Sequence, residues 1–415
     1  MNLTSRTCLA ATAGVLAIAS SPALAQATEP AEATSPERAS INYLDLTAHA
    51  GYSSNPLLRI TNADGSTYGR LSARGVHAWN TETSSSSVSG FVEGTTYFNN
   101  YGLKSIFSLS GDTAHRLSER VSVYGSAGFS GDLAGQLSNR FLYTPPLPEV
   151  PDAGEPPPVT VEDPEIFSFS GRQYRLFGQA GASIATGESS RVGISGGAQR
   201  AIFTNSFFDD YTTYFGTVSY DRTLSERTTV GVNVGARQTE YDGSSDHSTI
   251  INPAVTVNTR LSEYWDASAS VGVSFSSIDR EASDDHSTNL SFRGSLCHTS
   301  ETERLCGRVS RYAQNSARSS VVTTTSAGVD WFKRLDDVQT LQLSASVVRY
   351  VADAIANSNG RTHHYRAAGS YSRQINPRFS AGADVGVRAL RSQGPDPKTD
   401  FSGSLFLRYR LGDLG

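Results

Sequence analysis

Leu261 to Phe275, L-S-E-Y-W-D-A-S-A-S-V-G-V-S-F, constrains the fold most. After the polar turn Ser262-Glu263, Ala267, Ala269, Val271, Val273 and Phe275 alternate with Asp266, Ser268, Ser270, Gly272 and Ser274. Strict period-two alternation gives a strand one apolar face and one small, polar face. The unit recurs. Ser118-Glu119-Arg120 precedes Val121, Val123, Ala127 and Phe129; Ser225-Glu226-Arg227 precedes Val230, Val232 and Val234; Asn376-Pro377-Arg378 precedes Ala381, Ala383, Val385 and Val387. Turns centred near 188, 226, 263, 302, 337 and 377 are 35 to 40 residues apart. That interval holds two long strands, a tight turn and a longer loop.

This pattern predicts eighteen strands between residues 43 and 411, or sixteen if the poorly alternating second and tenth do not form. A soluble sandwich would fill its apolar face with large side chains. Here that face is mostly Ala, Val and Gly, and the other is polar throughout. Charged residues are only 18% of the chain and the hydrophobic ones 38%, both low for a soluble domain. The expected fold is therefore all-β: one transmembrane antiparallel up-and-down barrel, in which closure satisfies every backbone group. A secreted β-solenoid, the bland rival, would repeat more briefly and more regularly.

The N-terminus agrees with export. Arg6, the apolar run Leu9 to Ile18 and Ala23-Leu24-Ala25 read as a secretory signal peptide over 1–25, cleaved after Ala25,. The run is too short for a helical anchor, which needs about 20 apolar residues. Residues 26–42 read as a disordered lead-in and 43–411 as the barrel, placed in the outer membrane of a Gram-negative cell,. A net charge of -5 with no basic stripe gives no footprint for nucleic acid,. The row Leu405, Leu407, Tyr409 and Leu411 suits recognition by the barrel assembly machinery, although the chain ends Leu411-Gly412-Asp413-Leu414-Gly415 and not in an aromatic.

Three features go beyond the scaffold. Residues 131–171 interrupt the hairpin rhythm with a proline-rich, acidic insertion that has no Lys or Arg between Thr144 and Ser170. Parity puts it on the cell exterior, as a polyproline surface loop or as a constriction folded into the lumen. The second feature is arginine, since Lys occurs only at Lys104, Lys333 and Lys398 among 35 basic residues. Alternation sends Arg175, Arg237, Arg293, Arg308, Arg366, Arg388, Arg408 and Arg410 into the lumen beside Asp45, Glu93, Asp330 and Asp384. Such guanidinium groups either pair with the acids as pore filling or line a path for anions and acidic glycans. Third, Cys297 and Cys306 are equidistant from the turn at Glu301-Thr302 and share the inward parity. They are expected to face each other across two strands and to form a disulfide in an oxidising compartment; a metal pair is the sharper alternative, but no second histidine joins them.

Catalysis finds little support. Gly193-Ile194-Ser195-Gly196-Gly197 matches G-x-S-x-G, but that chemistry needs a strand-to-helix elbow and this copy lies inside a strand,. His363-His364 splits across the wall, leaving only His364 with Arg366 inside. No enzyme, cofactor or metal site is expected.

Signal peptide, hairpin repeat and G-Y-S-S-N-P (Gly51 to Pro56) together resemble the outer-membrane β-barrel porins of type 2. The resemblance implies an outer-membrane barrel associated with exopolysaccharide or surface-polysaccharide export, and brings no catalytic residues. The expected function is a passive conduit for sugars or anionic glycans. Its alternative is an accessory barrel of a polysaccharide export system with an occluded pore, and a distant third is a lipid-facing hydrolase. Outer-membrane lipids, lipopolysaccharide, the assembly machinery and export components are the expected partners.

Overall fold

The computed structural model describes residues 40–58, 64–99, 101–134, 172–280, 283–317, 320–352, 361–391 and 397–413. Within them the chain forms eighteen strands. The first six are β1 (Ser40–Ser53), β2 (Ser66–Asn80), β3 (Ser84–Tyr97), β4 (Gly102–Arg116), β5 (Val121–Ala134) and β6 (Gln173–Ala185). Next come β7 (Ser190–Phe203), β8 (Tyr211–Ser225), β9 (Thr228–Tyr241), β10 (His247–Arg260), β11 (Trp265–Arg280) and β12 (Ser283–Thr299). The last six are β13 (Glu303–Ser316), β14 (Ser320–Asp336), β15 (Gln339–Ala352), β16 (Arg361–Asn376), β17 (Phe379–Arg391) and β18 (Lys398–Gly412). Each pairs antiparallel with the next, and β1 pairs with β18 from Tyr43↔Gly412 to Ser53↔Ser402. The sheet is a closed barrel with no free edge.

At one end the strands are joined by tight turns at 81–83, 117–120, 186–189, 226–227, 261–264, 300–302, 337–338 and 377–378. The longer connections gather at the other, which we call the loop end. Both expected weak strands belong to the wall. β10 accommodates Pro253, which lacks an N–H, by interrupting its register with β11 at Asn252 and Pro253,. Gly272 makes room there, since a Cβ on it would stand 2.1 Å from the Pro253 carbonyl oxygen. β1 begins at Ser40, so residues 40–42 belong to the wall and not to the lead-in; residues 1–39, where the signal peptide is expected, lie outside the described residues. Likewise β5 runs on to Ala134, which still pairs with Ser105, while 135–171 of the acidic insertion lie outside them.

Alternation sets the two surfaces. Leu44, Leu71, Ile194, Val218, Val271 and Leu405 point out and are exposed. Aromatics bound this apolar band: Trp79, Tyr220, Trp265 and Tyr409 towards the turn end, and Tyr52, Phe129, Tyr214, Phe275, Tyr365 and Phe401 towards the loop end. Two belts around an apolar band are what a barrel surface facing lipid and two interfaces requires.

The wall departs from regularity at one hairpin. β12 and β13 pair only between Thr299↔Arg304 and Phe292↔Arg311, although both strands continue beyond that point. β13 and β14 stay paired to Ser316↔Ser320. Their shared tip leaves β12 and bends into the barrel. There Ala313 and Val321 pack on Ile250 and Ile278, and Ala317 on Ala201, Phe208, Tyr211 and Tyr241. Ser248 donates to Asn315 at 3.0 Å, Asn315 in turn bonds Thr239, and the Asp209 amide donates to the Ala317 carbonyl at 2.9 Å. Those partners on β7 to β11 face inward by parity, so the tip crosses lumen space to reach them. Val321, Val322, Thr323 and Thr324 are at most 1% exposed. With both faces covered, alternation has no role here, and the run V-V-T-T-T lacks it.

Candidate functional site

The inward row around the β1–β18 seam explains the G-Y-S-S-N-P stretch. Asp400 accepts the Ser53 hydroxyl at 2.7 Å, the Ser54 hydroxyl at 3.2 Å and the Asn55 amide at 2.8 Å. Arg388 donates from Nε to Asp400 at 2.7 Å and from its terminal nitrogen to the Pro56 carbonyl at 2.7 Å. Gly51 is needed because a Cβ would meet the Gly403 carbonyl at 2.4 Å. The clamp turns residues 54–58, which follow β1, inward, where Leu57 packs on Tyr68, Tyr97 and Tyr101. Arg388 therefore faces inward, as alternation places it, but it is buried against Asp400 and is not an open lining charge. Of the two expected roles, Arg388 fits pairing with an acid.

Other inward arginines are also committed to carboxylates. Arg410 makes a two-pronged contact with Asp45 at 2.7 and 2.8 Å, with its guanidinium carbon 4.4 Å from the centre of the Tyr43 ring. Arg308 binds Asp330 at 3.0 Å. Asp384 lies 3.4 Å from His49 Nδ1 and accepts from Ser404 at 3.4 Å. Arg408 stands over Phe406 at 5.8 Å. Arg70, 3.8 Å from Glu93, and Arg74, opposite Asp45, belong to the same wall and escaped sequence reasoning because β2 alternates poorly. From β17 through β1 to β3 most inward charges are paired, while Arg408 stands over Phe406 and Arg74 lies opposite the Asp45 that Arg410 holds; the Arg308–Asp330 pair lies apart, on β13 and β14.

The facing sector differs. Arg237 on β9 and Arg293 on β12 point inward and keep solvent-exposed surface, although the walls surround them. Tyr312, on the bent tip, sits close enough to feel both charges. Arg175 on β6 faces inward opposite Ser130, with a buried Nε that makes no hydrogen bond among the described residues. Arg366 faces inward next to Arg388. Serine pairs coat the wall near them, Ser268 with Ser295 at 2.6 Å and Ser310 with Ser326 at 2.7 Å, and a further pair, Ser89 with Ser110 at 2.8 Å, lies on β3 and β4. Such a surface can hydrate and pass small polar solutes, and two exposed guanidinium groups favour anions among them.

Cys297 and Cys306 are register partners with Cα atoms 4.1 Å apart, joined by a disulfide beside Asp266 and Asp330. Ser195 sits mid-strand in β7 between Gly181 and Thr217, with no elbow around it. His364 is buried against Tyr350, edge to face at 5.7 Å. Among the described residues no three His, Cys, Asp or Glu side chains gather into a metal site.

No family model matches this chain, and no curated protein matches it. Solved structures with a related outline include the FrpB iron transporter of Neisseria meningitidis (F3-3 variant), 7% identical with a TM-score of 0.46, covering 89% of this chain and 81% of that one. Pseudomonas aeruginosa OccK2 is 10% identical at a TM-score of 0.45, covering 90% of this chain and 98% of that one. Acinetobacter baumannii OccAB3 is 9% identical at 0.41, covering 90% and 99%. At these scores the likeness carries no argument of its own. What remains of the resemblance to porins is the closed barrel itself.

Proposed function

We propose that this chain is an outer-membrane conduit for small polar solutes, with a preference for anions, narrowed by the β13–β14 tip. The observation that carries the reading is the asymmetric lumen: exposed Arg237 and Arg293 flank the bent tip, while most charges of the opposite sector are paired. The outward band and its aromatic belts support an outer-membrane location reached by way of the N-terminal signal, with the tight turns in the periplasm. Sugars and anionic glycans are the solute classes to test first. Planar-bilayer recording tests the tip directly: replacing 314–322 by a two-residue turn should raise single-channel conductance, and unchanged conductance would mean that the tip does not limit flow.

A second reading has an observation in its favour. Both residues 54–58 after β1 and the hairpin tip turn into the barrel, which suits an accessory barrel of a polysaccharide export system with a blocked pore. Liposome swelling separates the two. A conduit admits small sugars in its native form, whereas a blocked accessory barrel admits none until the tip is shortened.

A further inference from the structure

Beyond the lumen, the outer face of β13 to β17 carries an unusual row. Register partners across these five neighbouring strands are Arg311, Thr325, Arg349, His363 and Arg391. All point outward, by the same parity as the exposed Val309, Val329, Leu343, Tyr365 and Val385. At the spacing of paired strands the row spans roughly 19 Å. It lies one step above Tyr365 of the loop-end aromatic belt, where an outer-leaflet headgroup would sit. The row below it reads Val309, Ala327, Val347, Tyr365 and Ala389, again in register. These residues and the next ones down line a shallow, largely apolar groove of about 840 Å³.

We propose that this surface binds a phosphorylated glycolipid of the outer leaflet, its phosphates on the arginine row and an acyl chain in the groove beneath. The inference rests on the outer-membrane placement above, and not on conduction. Three observations converge on it. No carboxylate stands in either row, so the positive charge is not neutralised from within. The Nε of Arg349, at the centre, is buried and makes no hydrogen bond among the described residues, and Arg311 donates only to Thr325, at 3.3 Å. Elsewhere the same rim is unsuited to anions: Arg200 is held by Asp242 at 2.6 Å, and Glu240 and Asp284 face outward on β9 and β12. Bidentate guanidinium groups are the preferred partners of phosphate. His363, stacked on Tyr365 with ring planes 8° apart, lies between Arg349 and Arg391 and can add a donor.

The test uses the refolded full-length barrel in detergent and purified bisphosphorylated lipid A, with binding read by native mass spectrometry. Arg349→Gln with Arg391→Gln should weaken binding at least tenfold, while Arg200→Gln elsewhere on the same rim should leave it unchanged. Lipid A stripped of its phosphates should bind as weakly to the native barrel as intact lipid A does to the double variant. Heat-modifiable migration confirms that each variant is folded. Should the double variant misfold, Arg349→Lys alone keeps the charge and is expected to retain part of the binding. Equal binding by native barrel and double variant would overturn the site. So would full competition by inorganic phosphate, which would mark a free-anion site, or equal affinity for phosphatidylglycerol. Conductance is measured on the same samples: loss of lipid binding with conductance intact separates this inference from the conduit reading.

Discussion

Arg388 illustrates what single residues do here. Its inward direction follows from period-two alternation alone, but its role does not, because its partners are a carboxylate one strand away and a carbonyl more than 300 residues distant in sequence. Asp400 is almost fully buried, so removing its cation strands a charge out of water,. Arg388→Ala is expected to lower stability by about 3 kcal/mol, read from urea unfolding in liposomes. Asp400→Asn, which keeps acceptors for Ser53 and Ser54, should cost less. An Arg388→Ala barrel as stable as the native one would mean that the clamp holds nothing. The cysteine pair, by contrast, was fully legible: equal distance from a turn and equal parity fix a cross-strand neighbour without tertiary information. Unfolded, unreduced mature protein should contain no titratable thiol, and two thiols would remove the bond.

At the scale of elements, all eighteen strands could be found because lipid outside and water inside impose alternation on nearly every one. Where alternation failed, two causes were at work. In β10 a proline faces out, and the register adjusts around it. In β14 the run Val321 to Thr324 is covered on both faces, so the sequence loses its period where the hairpin turns inward. An uncharged, non-alternating patch in an otherwise regular strand is the signal that could have revealed the ingrowth. Residues 135–171 of the expected constriction lie outside the described ones; the ingrowth that is described comes from a different hairpin. Its residence in the lumen can be tested by a cross-link. Ser248→Cys with Asn315→Cys should form a disulfide in the folded protein, since the native side chains already meet at 3.0 Å. Native-like conductance in the cross-linked form is expected, and failure of the bond to form would place the tip elsewhere.

At the scale of the whole molecule, net charge misleads about selectivity. The chain as a whole carries -5, but ions crossing the proposed conduit would meet only the lining, and there the acids are largely paired while Arg237 and Arg293 stay exposed. A unit charge about 7 Å from the ion path contributes roughly 0.6 kcal/mol in a water-like dielectric, near threefold in local anion concentration. Two such charges bias the lumen towards anions by a factor of several at low salt. At 1 M salt the screening length falls to about 3 Å and most of that bias disappears. Reversal potentials across a salt gradient should therefore report anion preference for the native barrel around 0.1 M and little around 1 M. Arg237→Gln with Arg293→Gln should move the low-salt ratio towards cations and leave the high-salt value almost unchanged. If the double variant retains the native ratio at low salt, the charge filter lies elsewhere along the lumen and the anion preference loses its basis.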